Sequence, residues 1–154
     1  VWAGAAAYFK DAPRHLMEPL NAALAEKAEQ TSSLDYVASV VRIQGLARRI
    51  VAFWNQYDLL LTPGLAMQPP KVGWGTEPES VWEQFQRGWE FTPFTQVANL
   101  TGQPAASLPL FWDADGLPTG VQLVGRPQGD AELIRVCAQL EQARPWAGKR
   151  PPVS

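Results

Sequence analysis

The chain of 154 residues holds one cysteine, Cys137, and one histidine, His15. A lone cysteine rules out a disulfide framework within the chain. One Cys and one His cannot complete a structural zinc site, so neither a metal nor another cofactor is expected. No apolar run approaches the roughly 20 residues that a helix needs to cross a bilayer, and no membrane partner is expected. Neither charge sign dominates. The 13 Lys and Arg stand against 15 Asp and Glu, a formal net charge of -2, which argues against nucleic acid as a partner. A phosphate-binding glycine loop and a dinucleotide fingerprint are both missing, no serine sits in a GxSxG elbow, and no solenoid-length repeat is visible. The opening "VWAGAAAYFKD" shows no initiator Met and no charged segment followed by a long apolar core, so no secretory leader is apparent. A reduced, cytoplasmic setting is the expectation.

What is present reads as a globular piece. The composition is 46% hydrophobic and 18% charged, with seven Trp, enough apolar surface for a real core. A beginning in mid-flow and a surplus of large apolar groups suggest part of something larger.

Leu16, Leu20 and Leu24 recur every four residues and predict a helix over His15 to Ala28. Ser32 with Asp35 three later resembles a capping box. A long helix should run from about Leu34 to Trp54, with Val37, Val40, Val41, Leu46, Ile50, Val51 and Trp54 mostly on one face. Arg42, Arg48 and Arg49 read as its solvated side. "YDLLLTP" (Tyr57 to Pro63) reads as a short strand buried on both faces, in the manner of a parallel strand. A Pro- and Gly-rich loop covers 64–80. Its Trp74, set between two glycines, is weighed as a ligand-facing group and more readily explained as a surface loop packed by its own side chain. A short helix follows Pro78.

Phe94 to Thr101 predicts another short helix, with Gly102 as its left-handed terminator and Pro104 forbidding continuation. "AASLPLFW", the turn "DADG" and "TGVQLVG" form a hairpin in the simplest reading. Leu133, Val136, Cys137 and Leu140, at i, i+3, i+4 and i+7, mark the final helix. Asp130 and Glu132 complement the positive end of its dipole and Arg144 the negative end. Cys137 lies on the apolar stripe and reads as a buried structural thiol.

Self-contained chemistry is not found. A nucleophile needs a base in reach and donors for an oxyanion. His15 has no acid partner in sequence, Ser107 lies within a strand, and Asp113 with Asp115 suits turn formation. No catalytic residue is assigned.

The stretch Phe91 to Trp146 resembles the C-terminal region of the amidase signature family, on the ordered set N-x-T-G-x-P-A-x-S-x-P, D-G-L-P-x-G-x-Q-L-V-G and L-E-x-x-x-P-W. "YDLLLTP" and the long helix before it match the preceding segment, so the resemblance runs over about 18–146. It looks most like bacterial amidases of the kind that includes the aminohexanoate cyclic-dimer hydrolases. The resemblance implies an α/β class, the C-terminal part of an α/β/α fold with a mixed sheet and flanking helices. It implies a single amidase domain, of which 1–154 would be a C-terminal fragment. It also implies amide hydrolysis of a small-molecule substrate by a Ser–cis-Ser–Lys triad. That triad belongs to a Gly/Ser-rich segment with no counterpart here, and Lys10, Lys27, Lys71 and Lys149 stand in no matching motif. The chain alone is therefore expected to be inactive.

In glutaminyl-tRNA-forming relatives an aspartate before the "ANL.G" helix holds the substrate amine, and Thr92 occupies that position here. Thr92, Phe94 and Gln96 are the expected substrate-binding residues, with helix-start packing as the competing reading. Thr cannot supply the aspartate's charge, which weighs against the amidotransferase reading, that of an aminoacyl-tRNA amidotransferase fragment. A further alternative is a non-catalytic remnant acting as an interaction module, with homo-oligomers formed through exposed apolar surface.

Overall fold

The computed structural model describes Ala7 and residues 11–149; Lys10 lies outside them. Helix α1 spans Pro19–Glu29. It begins at Pro19, later than the leucine spacing predicts, because proline's fixed φ and missing N–H suit the first helical position. His15 falls instead in a separate 3-10 turn, Arg14–Leu16, and is exposed. Leu24 and Ala25 are the buried residues of α1.

The Ser32 half of the expected capping box is formed. Ser32 Oγ accepts the Asp35 N–H at 3.1 Å and donates to the Asp35 carboxylate at 2.6 Å, starting helix α2, Ser33–Val51. A 3-10 turn, Ala52–Asn55, continues it. All three arginines are exposed, as expected of a solvated side. The apolar face is a correction: no residue of α2 is buried. Val37 and Val41 are 55% and 60% exposed, and burial begins only at Trp54 beyond the helix.

Strand β1, Leu60–Pro63, is a second correction. It pairs antiparallel with β3, Pro118–Val124, at one edge of a three-stranded sheet of order β1-β3-β2, in which β2 is Ala105–Trp112. Its exposure alternates, with Leu61 64% exposed. A run of three leucines announces a strand, but the direction of its partner is decided by residues about sixty positions away. Strand β2, Ala105–Trp112, makes the expected hairpin with β3. Its register slips between Leu108 and Phe111, where Pro109 offers no N–H to the ladder. Asp113 Oδ1 accepts the N–H groups of Asp115 and Leu117 at 3.0 and 2.8 Å and closes the turn.

Helix α3 spans Val81–Phe91, the short α4 spans Gln96–Thr101, and α5 spans Asp130–Ala143. Gly102 ends α4 at φ 71°, with its N–H on the Ala98 carbonyl, a conformation in which a Cβ would be strained. Leu108, Leu110, Leu123 and Leu133 form the core, and Val136, Cys137 and Leu140 of α5 pack against it. Cys137 is half-buried rather than buried as expected; the burial it has pushes its thiol above the ordinary pKa, so the thiolate is disfavoured and a structural role fits. Trp54 Nε1 donates to the Val124 carbonyl at 3.3 Å.

The chain divides into two compact units. One holds residues up to Gly45 with Pro69–Phe91; the other holds Leu46–Gln68 with the chain from Thr92 onward. In the first, Trp74 packs against Phe91 at 6.3 Å between ring centres. The Arg87 guanidinium lies 5.0 Å from the Trp74 ring centre, donates to the Trp74 carbonyl and pairs with Glu77 at 3.1 Å. Trp74 is thus a loop residue held down by its own neighbours.

Candidate substrate-facing wall

The three residues expected from sequence lie at the start of α4, in the unit that holds the sheet. Thr92 and Phe94 precede the helix, Thr95 is its N-cap, and Gln96 is its first helical residue. All three expected residues are half-buried, so each keeps part of its surface open. The helix is only six residues long, and its N-cap side chain makes no cap hydrogen bond. The Thr95 hydroxyl donates instead to the Thr92 carbonyl at 3.2 Å, which folds the 92–95 segment on itself.

A residue that sequence reasoning does not single out ties this segment to the sheet. Gln122 lies in the middle strand, is 5% exposed, and its Nε2 donates to the Phe94 carbonyl at 3.2 Å and to Thr62 Oγ1 at 3.3 Å. The signal was available in "GVQLVG", where one amide interrupts an apolar strand that a buried position would keep apolar. Thr62 and Ser107 stand opposite Gln122 in the register of β1 and β2. A polar row therefore crosses the sheet.

Near that row the backbone comes close to itself. The Gly64 N–H donates to the Gly120 carbonyl at 2.8 Å. A Cβ on Gly120 would lie 3.1 Å from Ser107 Oγ, and one on Gly64 would lie 3.2 Å from the Gly120 oxygen. Both glycines suit this close approach. Leu61, Thr62, Pro63, Thr119, Gly120 and Val121 line an open hollow of about 280 Å³ there.

Among the described residues, no three His, Cys, Asp or Glu side chains stand together in a way that could hold a metal ion, and no helix is long and apolar enough to cross a membrane. The arrangement offers hydroxyls, amides and apolar surface. It can shape and orient a ligand.

Comparison with known proteins agrees with the motifs. The Amidase family model matches residues 4–134. The putative amidase AmiB2 of Mycobacterium tuberculosis is 44% identical over 109 residues, 71% of this chain and 23% of its own length. The 6-aminohexanoate-cyclic-dimer hydrolase of Paenarthrobacter ureafaciens is 34% identical over 135 residues, 83% of this chain and 27% of its own length. The solved structure of a 6-aminohexanoate cyclic dimer hydrolase superposes with a TM-score of 0.90 at 26% identity, covering 98% of this chain and 34% of that one. The chain thus spans about a quarter to a third of the length of these relatives. With the motif order, the helix-flanked sheet and the family match in agreement, this chain belongs to the amidase family.

Proposed function

We propose that the chain supplies scaffold and one wall of the substrate pocket in an enzyme that hydrolyses carbon–nitrogen amide bonds. The observation that carries this reading is the half-buried cluster Thr92, Phe94 and Gln96, held on the sheet through the Phe94 carbonyl. A pocket wall needs that combination of partial exposure and fixed backbone. These three side chains carry no charge, so the reading is for a small amide substrate without a cationic group at this point. The nucleophile, bridging serine and lysine of a Ser–cis-Ser–Lys mechanism would come from residues outside this chain, within one amidase domain. On this reading the chain alone does not turn over amides, and a cytoplasmic setting suits its single thiol.

The test uses the amidase reading frame that carries these residues. Replacing Phe94 by Ala should raise KM for a neutral amide by about tenfold, the effect of losing about 1.4 kcal/mol of apolar contact. Thr92→Asp should shift preference toward amides with a cationic amine. Unchanged KM and unchanged preference in both variants would remove the pocket assignment. Serine-dependent turnover by the 154-residue chain itself would remove the division of labour. Thr92 also weighs against the amidotransferase reading. Glutaminase activity in the presence of further protein components would restore it.

One observation favours a second reading, self-association. Leu34, Val37 and Val41, at 77%, 55% and 60% exposure, line up along α2 at helical spacing. Sedimentation of the chain at rising concentration separates the two: a constant monomer mass removes the second reading.

A further inference from the structure

We infer that Gln122 is a positioning residue for the substrate-facing wall, setting the path of the 92–96 backbone from the middle of the sheet. The inference rests on the pocket reading above for its functional consequence, and on geometry alone for the clamp itself.

A buried strand position is most cheaply filled by a branched apolar side chain, since a buried amide must find partners for its polar atoms. Gln122 is nonetheless one of the buried polar residues, in the central strand. Its backbone already faces partners on both sides, Thr62 on β1 and Ser107 on β2. The side chain is therefore available for work outside the ladder. It directs its Nε2 donors to two acceptors in different segments, the Phe94 carbonyl and Thr62 Oγ1. Thr62 holds the amide in one orientation, and the other donor holds the peptide between Phe94 and Thr95.

That peptide is the one that needs holding. It lies directly before a helix of six residues whose N-cap side chain makes no cap hydrogen bond, so the ordinary means of fixing a helix start is missing. The Thr95 hydroxyl, which could have capped, is turned back to the Thr92 carbonyl. With the Phe94 carbonyl anchored, the directions of the Phe94 side chain and of Gln96 follow. Gln122 acts on the wall through Phe94.

Two measurements test this. In Gln122→Met, which keeps length and loses both donors, amide hydrogen exchange in peptides covering 92–101 should accelerate about tenfold, the worth of one net hydrogen bond, while peptides from β2 keep their rates. Gln122→Asn, one methylene shorter, should do the same if the Met variant fails to fold. Thr62→Val, which leaves the Phe94 bond in place, should change these rates less than either. In the amidase, Gln122→Met should raise KM by a similar factor with kcat within about twofold, whereas a general loss of folded protein would lower apparent kcat and leave KM alone. Unchanged exchange over 92–101, or a fall in kcat at constant KM, overturns the inference. If the wild-type protein hydrolyses no amide, the function proposed above fails, and the exchange rates still decide the clamp.

Discussion

The two compact units are stabilised in different ways. The sheet unit holds Trp54, Leu108, Leu110, Leu123, Val124 and Leu133, all buried, around backbone ladders. The helical unit holds Leu24, Ala25 and Pro78 as its buried apolar residues among those described, and leaves Leu34, Val37 and Val41 largely exposed. Its polar ties include the Ser32 cap, the Arg87 contacts on Trp74 and the Arg14–Glu29 ion pair. Surface pairs of this kind contribute little each, whereas a buried leucine contributes a few kcal/mol. The sheet unit should therefore set the stability of the chain.

The sharpest way to break this contrast is Leu123→Ala. The residue is 3% exposed, and the substitution should cost about 3 kcal/mol in chemical denaturation, as buried large-to-small changes do. Trp54→Phe, which leaves the Val124 carbonyl without the indole donor, should cost about 1–2 kcal/mol. Gly102→Ala forces a Cβ into a left-handed conformation and should cost about 1 kcal/mol. In the helical unit, Ser32→Ala removes the cap of α2 and should cost about 0.5–1 kcal/mol, visible as faster exchange in the first turn of that helix. Val41→Ala should stay within about 0.5 kcal/mol. If Val41→Ala matched Leu123→Ala, the contrast between the units would be wrong.

The same contrast separates what could be read in the sequence from what could not. Gly102, Pro104, the Asp113 turn, the Ser32 cap and the stripe of α5 were legible because each depends on neighbours within a few positions. The antiparallel pairing of β1 was not, because Leu60 and Leu61 carry no mark of the partner strand that reaches them about sixty residues later. The exposure of Val37 and Val41 was not legible either, since helical spacing shows which residues share a face and not what covers it. Thr92, Phe94 and Gln96, proposed above for the pocket wall, came from a resemblance and stand at the start of α4. Gln122 needed the coordinates, since an amide in a strand says that a polar partner exists without saying which.

The sheet order also has a consequence in time. β2 and β3 are joined by a tight turn, whereas β1 must find β3 across a separation of 60 residues, as between Thr62 and Gln122. Closing the longer loop costs only about 0.6 kcal/mol more for each doubling of its length, yet that cost has to be met before any contact of β1 rewards it. The hairpin should therefore form early in refolding and β1 dock afterwards. The 92–96 segment, tied to Gln122 through the Phe94 carbonyl, would then be among the last parts of the sheet unit to take its final form.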